Sequence, residues 1–156
     1  MDKREIKNSV LENLIKVREN LIKSREEYKE AAKDAPGAMQ SHSDTSKFQF
    51  NILADNIASQ LQKLDDAVIL LREYGEKSTE AEIGAFLKIK ENGEIRYFYL
   101  VPEGAGGFKV KMDSIDIQVL AVNSLVGKAF LFKKTGQEFE LQLPAGKRLI
   151  KILEIN

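Results

Sequence analysis

The chain has no cysteine and no tryptophan, one histidine, three prolines, and no net charge over 156 residues. Without cysteine there is no disulfide framework and no thiolate chemistry, a composition that suits the cytoplasm. With His42 as the only histidine, a histidine metal cluster or a Ser-His-Asp triad would rest on that one residue. Its neighbours Ser41, Ser43 and Asp44 are too close in sequence to converge as a triad. Lys+Arg and Asp+Glu are both 24. Residues 1–74 and 75–156 are each close to balanced, so no basic field collects nucleic acid, and specific DNA binding is not expected. No apolar run reaches the length of a membrane span. The charged opening of Asp2, Lys3, Arg4 and Glu5 lacks the apolar segment of a signal peptide. A cytoplasmic location is the expectation.

What is present is a hydrophobic content of 43% beside a charged content of 31%, enough for a real core. Its organising stretch is 34–47, which holds Pro36, Gly37, the lone His42, three serines and a threonine. Pro36 lacks an N–H and Gly37 is flexible, so a preceding helix stops near Asp34. Ser41 with Asp44 resembles a capping box, and Ser43 is a competing cap, so a second helix starts between Ser41 and Thr45. Before the break, Val10, Leu14, Val17, Leu21, Ser24, Tyr28 and Ala31 recur at alternating spacings of four and three. After it, Phe50, Ala54, Ile57, Leu61, Leu64, Val68 and Leu71 do the same. These are matching heptad seams. The spacing predicts two antiparallel helices forming a rod of roughly 45 Å, with the break as its far tip. A compact bundle or an intermolecular coil is the bland alternative, but the narrow seams leave little apolar surface for a bundle.

Beyond Gly75, a helix stop, the period changes. Segments 83–89, 95–101 and 115–122 are rich in Ile, Val, Tyr and Phe and read as strands. Asn92-Gly93 is a hairpin-turn signal between the first two. The loop at 103–107 is glycine-rich, but no Lys-Ser/Thr and no helix follow it, which argues against a phosphate cradle. Ser124 caps a short helix to about Phe132. Segments 138–143 and 148–155 form a last hairpin through Pro144 and Gly146. The expected fold is α+β: a helical hairpin at 1–75 with its tip at 34–47, a linker at 76–81, and a small antiparallel sheet domain with one helix at 82–156.

Residues 123–155 resemble the C-terminal signature of the GreA/GreB transcript cleavage factors. Ser124, Gly127, Lys133, Lys134, Gly136, Pro144 and Gly146 fit that pattern, whereas Leu125 stands for its proline and Gln137 for its aspartate. The signature covers about a fifth of the chain. A helical hairpin followed by an FKBP-like domain covers all of it. The resemblance implies an accessory factor without enzymatic activity of its own. Its C-terminal domain would dock on RNA polymerase, with Ser124, Gly127 and Lys128 as docking candidates. Its hairpin tip, here His42, Ser43, Asp44 and Lys47, would enter the secondary channel and approach nascent RNA.

In the family, tip acids help hold a magnesium ion for cleavage of backtracked RNA. Aligned to that pattern, Asp44 keeps the first acid, while Lys47 takes the place of the second and Phe48 that of the asparagine. Two carboxylates at i and i+3 share a cation; one Asp facing a Lys does so poorly. The expectation is therefore weak or absent cleavage stimulation, with magnesium held, if at all, only together with the polymerase. Asp44 read simply as a helix cap is equally compatible with its position. A non-cleaving competitor at the channel is the nearest alternative. A hairpin module for another partner is the alternative from a different class. Met39 and Phe48, off the seam, are further contact candidates.

Overall fold

The computed structural model describes residues 2–35, 45–74 and 78–156. Helix α1 spans Lys3–Asp34 and begins at Asp2, whose carboxylate accepts the Arg4 N–H at 2.9 Å. Helix α2 spans Ser46–Glu73. The two run antiparallel, as three contacts show in turn: Lys7 Nζ donates to the Arg72 and Tyr74 carbonyls, both at 2.9 Å; Arg18 meets Asp65 at 2.6 Å; and Tyr28 stacks on Phe50 with centroids 6.3 Å apart. Lys7 thereby satisfies carbonyls that a helix end leaves without partners. At about 1.5 Å per residue, α1 is roughly 48 Å long.

The seam closes unevenly along the rod. Val10, Leu14, Leu64 and Leu71 are buried at the root, whereas Val17, expected on the seam, is 43% exposed. A helix with a single neighbour buries only one stripe. At the root the sheet adds a second neighbour, which also covers Ile6 and Ala67.

The rest of the chain forms β1 (Phe86–Glu91), β2 (Glu94–Val101), β3 (Phe108–Met112), β4 (Ile115–Ala121), α3 (Leu125–Phe130), β5 (Glu138–Leu143) and β6 (Gly146–Ile155). The strand order is β3-β4-β2-β1-β6-β5. Asn92 and Gly93 both take positive φ, 48° and 96°, which matches the hairpin turn read from the sequence. The sheet is mixed where an all-antiparallel one was expected, because β2 and β4 pair parallel. The extra strand β3 is the cause. The chain turns back after Pro102, runs out as β3, and returns as β4 between β3 and β2. Gly106 permits this path, since a Cβ there would lie 2.3 Å from the Ala121 nitrogen.

Each sheet face carries its own core. On one, the hairpin root (Ile6, Val10, Leu14, Leu64, Ala67, Leu71) packs against Tyr99, Val101, Val110, Ile117 and Val119. On the other, Phe130 of α3 packs with Leu87, Ile89, Leu100, Ile150 and Ile152. Ala81, at the end of the expected linker, is fully buried and exchanges backbone hydrogen bonds of 2.8 Å with Phe132 and Lys133. The hairpin is thus joined to the sheet by packing as well as by chain.

Tyr99 sits in the first core with no exposure, and its hydroxyl has no hydrogen-bond partner among the described residues. Burial pushes its phenol pKa up, so it stays neutral. A buried hydroxyl without a partner costs about 1–3 kcal/mol. Tyr99→Phe is therefore expected to raise the melting temperature by a few degrees. A fall in a thermal melt would mean that the hydroxyl is satisfied.

Candidate functional site

The far end of the rod begins at the first turn of α2. Thr45 is its N-cap and makes no side-chain capping bond, and no acidic residue lies in the first turn. Lys47 is exposed there, and Phe48 is 68% exposed. Phe50 turns inward onto Tyr28. The tip residues His42, Ser43 and Asp44, together with Met39 and the Ser41 capping box, lie outside the described residues. Gly75 does as well.

The docking candidates come together on α3, about the turn that follows β4. The Ser124 hydroxyl accepts the Gly127 N–H at 3.0 Å and donates to the Ala121 carbonyl at 2.7 Å. Gly127 is buried, with no room for a side chain: a Cβ would lie 2.1 Å from the Ala121 oxygen. Both residues thus shape the turn. Lys128 is exposed and Leu125 is 58% exposed, so these present the surface. Phe132, just beyond, is 69% exposed at a φ of 62°, a left-handed conformation that favours glycine. Gln137 keeps the turn closed by accepting the Lys134 N–H at 2.8 Å through its amide oxygen. Lys133 lies over the Phe139 ring at 5.2 Å.

Among the described residues no group of three or more His, Cys, Asp or Glu is placed to hold a metal. No described helix is long and apolar enough to cross a membrane. On the outer face of the β5–β6 hairpin, a hydrogen bond from Lys151, with its charge, holds the exposed Glu138 carboxyl below the usual range.

One constellation has no local sequence signal. The Glu91 side chain, 6% exposed, lies between Arg96 Nε at 2.6 Å and Arg148 Nη1 at 2.8 Å. The three residues come from β1, β2 and β6, and Arg148 is 57 positions from Glu91. Charged residues on three separate strands read individually as solvated strand faces. Their convergence follows from the β6-β1-β2 strand order.

The fold class is a helical hairpin rooted on a six-stranded mixed sheet with one short helix. Solved structures similar to this chain include the GreA factor homolog 1 (Gfh1) of Thermus thermophilus. It is 20% identical over 95% of each chain, with a TM-score of 0.40. Thermus aquaticus Gfh1 is 22% identical over 96% of this chain and 95% of its own, with a TM-score of 0.41. A GreA/GreB elongation factor from Nitrosomonas europaea is 19% identical over 60% of this chain and 78% of its own, with a TM-score of 0.38. No protein-family model and no curated protein sequence matches the chain.

Proposed function

We infer that this chain is a Gre-like transcription elongation regulator with weak or no stimulation of transcript cleavage. In this reading the sheet domain binds RNA polymerase through α3, and the hairpin carries its tip into the secondary channel, within reach of nascent RNA. The supporting observation is the asymmetry of the rod. Its root is fixed in the sheet core by Ile6, Val10 and Leu71, so its opposite end is held away from the sheet. A second support is the resemblance at Ser124 and Gly127, where the Ser124 hydroxyl bonds the Ala121 carbonyl and the Gly127 N–H.

The same rod argues against strong cleavage. A magnesium ion shared with the polymerase would supply charge neutralisation at the RNA phosphate. The first turn of α2 offers no acid to hold it and presents exposed Lys47 instead. That charge raises the local potential and disfavours a second cation. Asp44 is then the candidate ligand carried over from the family pattern, with Asp34 across the turn as the alternative acid, and the chain competes at the channel without completing its chemistry. It acts through the polymerase active centre and carries no catalytic residue of its own.

The test is retention of purified RNA polymerase on the immobilised protein. Retention is expected for wild type. Lys128→Glu, which reverses an exposed charge on α3, is expected to weaken it about tenfold with the melting curve unchanged. No retention of polymerase by the folded wild type would overturn the reading in favour of another partner.

A further inference from the structure

Two guanidinium groups held apart by one buried carboxylate leave unused donors. Arg148 donates to Glu91 through Nη1, and Arg96 stands beside the same carboxylate as an ion pair, its Nε 2.6 Å from Oε2 without hydrogen-bond geometry. An arginine has five N–H donors. Both arginines are partly open to solvent, with side-chain exposures of 46% and 38%, while Glu91 is at 6%. The triad carries one net positive charge. Arg96, Arg148 and Glu91 line a polar basin of about 310 Å³ with Asn92 and Glu94. The same three side chains also line a second cavity of about 70 Å³, running under α3. Beside the triad that cavity is walled by Phe98, Leu120, Val126, Phe130, Leu141 and Ile150, with Gln118 as a further polar side chain. A water needs about 10–15 Å³ of such space, so the cavity has room for a small branched alkyl group.

We propose that this paired cavity is a binding site for a carboxylate joined to a small branched apolar group. The carboxylate would sit on the spare donors of Arg96 and Arg148, and the alkyl group would enter the cavity beneath α3. Guanidinium forks match carboxylates in geometry, and the hydrogen bonds are charge-assisted. Glu91 has the role of a positioning residue, since it fixes both forks at the rim. Glu94 is the competitor already present. It lies 3.5 Å from Arg96 Nη2 and is 76% exposed, the kind of ion pair that an incoming anion displaces at little cost. The chemistry is shared by a peptide ending in leucine or valine and by a free branched-chain acid. The site lies on the sheet domain and is independent of the channel reading.

The probes are N-acetylleucine and a short acetylated peptide ending in leucine, with 4-methylpentanoate as the free acid and N-acetylleucinamide as the uncharged control. Binding to the full-length protein is followed by NMR at low salt, through the methyl signals of Val126, Leu141 and Ile150. The carboxylates are expected to shift these signals saturably, and the amide is not. Arg96→Gln is expected to weaken binding about tenfold, the loss of one charged hydrogen bond. Glu94→Gln, at an exposed position, is expected to tighten it several-fold, which a merely structural triad would not do. Tighter binding of the peptide than of 4-methylpentanoate assigns the site to chain termini, and the reverse assigns it to free acids. Absence of saturable shifts, equal binding of the amide, or indifference to both substitutions would overturn the proposal.

Discussion

Leu71→Ala is expected to lower the melting temperature by roughly 5–20 °C, from a loss of about 2–5 kcal/mol. Leu71 is fully buried near the end of α2, in the core where the hairpin root meets Tyr99, Val101, Ile117 and Val119. Truncation removes packing from the helix pair and the sheet together. A domain of this size has a total stability of about 5–15 kcal/mol, so the change consumes a large share. Because the core is shared, the loss is expected to reach the sheet. Amide hydrogen exchange at Val119 and Tyr99 should quicken along with that of α1 and α2. Faster exchange in the helices with an unchanged sheet would show that the hairpin and the sheet are energetically separate. The fragment 82–156 would lose the same cover from Tyr99, Val101 and Val119, which makes this exchange experiment informative about where the chain divides.

Gly127→Ala is the second substitution with a large expected effect, and two terms of opposite sign decide it. Alanine is favoured over glycine in a helix by about 1 kcal/mol. Against that, the new Cβ would lie 2.1 Å from the Ala121 carbonyl oxygen and 2.9 Å from the Ser124 hydroxyl. That carbonyl is not free to withdraw, because it accepts the Ser124 N–H at 3.0 Å and the Ser124 hydroxyl at 2.7 Å. Relief of the clash means opening the turn that starts α3, and forcing atoms into a packed site costs about 1–3 kcal/mol or more. Adding the lost capping bond makes the net change destabilising. A clear fall in melting temperature is expected, with the Phe130 ring signals shifted as α3 lifts from its core. An unchanged or higher melting temperature would show that the turn is softer than its geometry implies.

Much of the architecture was legible because local chemistry sets it. Paired heptads gave the two helices, Asn92-Gly93 gave the β1–β2 turn, and Ser124 gave the α3 cap. Strand β3 was missed because Phe108–Met112 is a five-residue edge strand with two lysines, a weak signal beside a glycine-rich loop. The parallel β2–β4 pair depends on β3, so it was missed with it. The seam failed at Val17, because a heptad pattern reports which residues are apolar and not how many neighbours a helix has. The shared core of hairpin root and sheet could not be read for the same reason. Of the candidate site, Ser124 and Gly127 were singled out by position, yet their bonding to Ala121 needed three dimensions. Glu91, Arg96 and Arg148 had no local signal, because strand order alone brings them together.

The central claim is that the hairpin delivers a tip unable to complete cleavage chemistry. RNA release from a stalled, backtracked RNA polymerase complex tests it most directly, measured with and without the protein. The expected result is little or no added cleavage by the unmodified chain, together with inhibition of release driven by a cleavage-competent Gre factor. Lys47→Glu, which places an acid in the first turn of α2, is expected to restore part of the cleavage. Strong, Asp44-dependent cleavage by the unmodified protein would contradict the account.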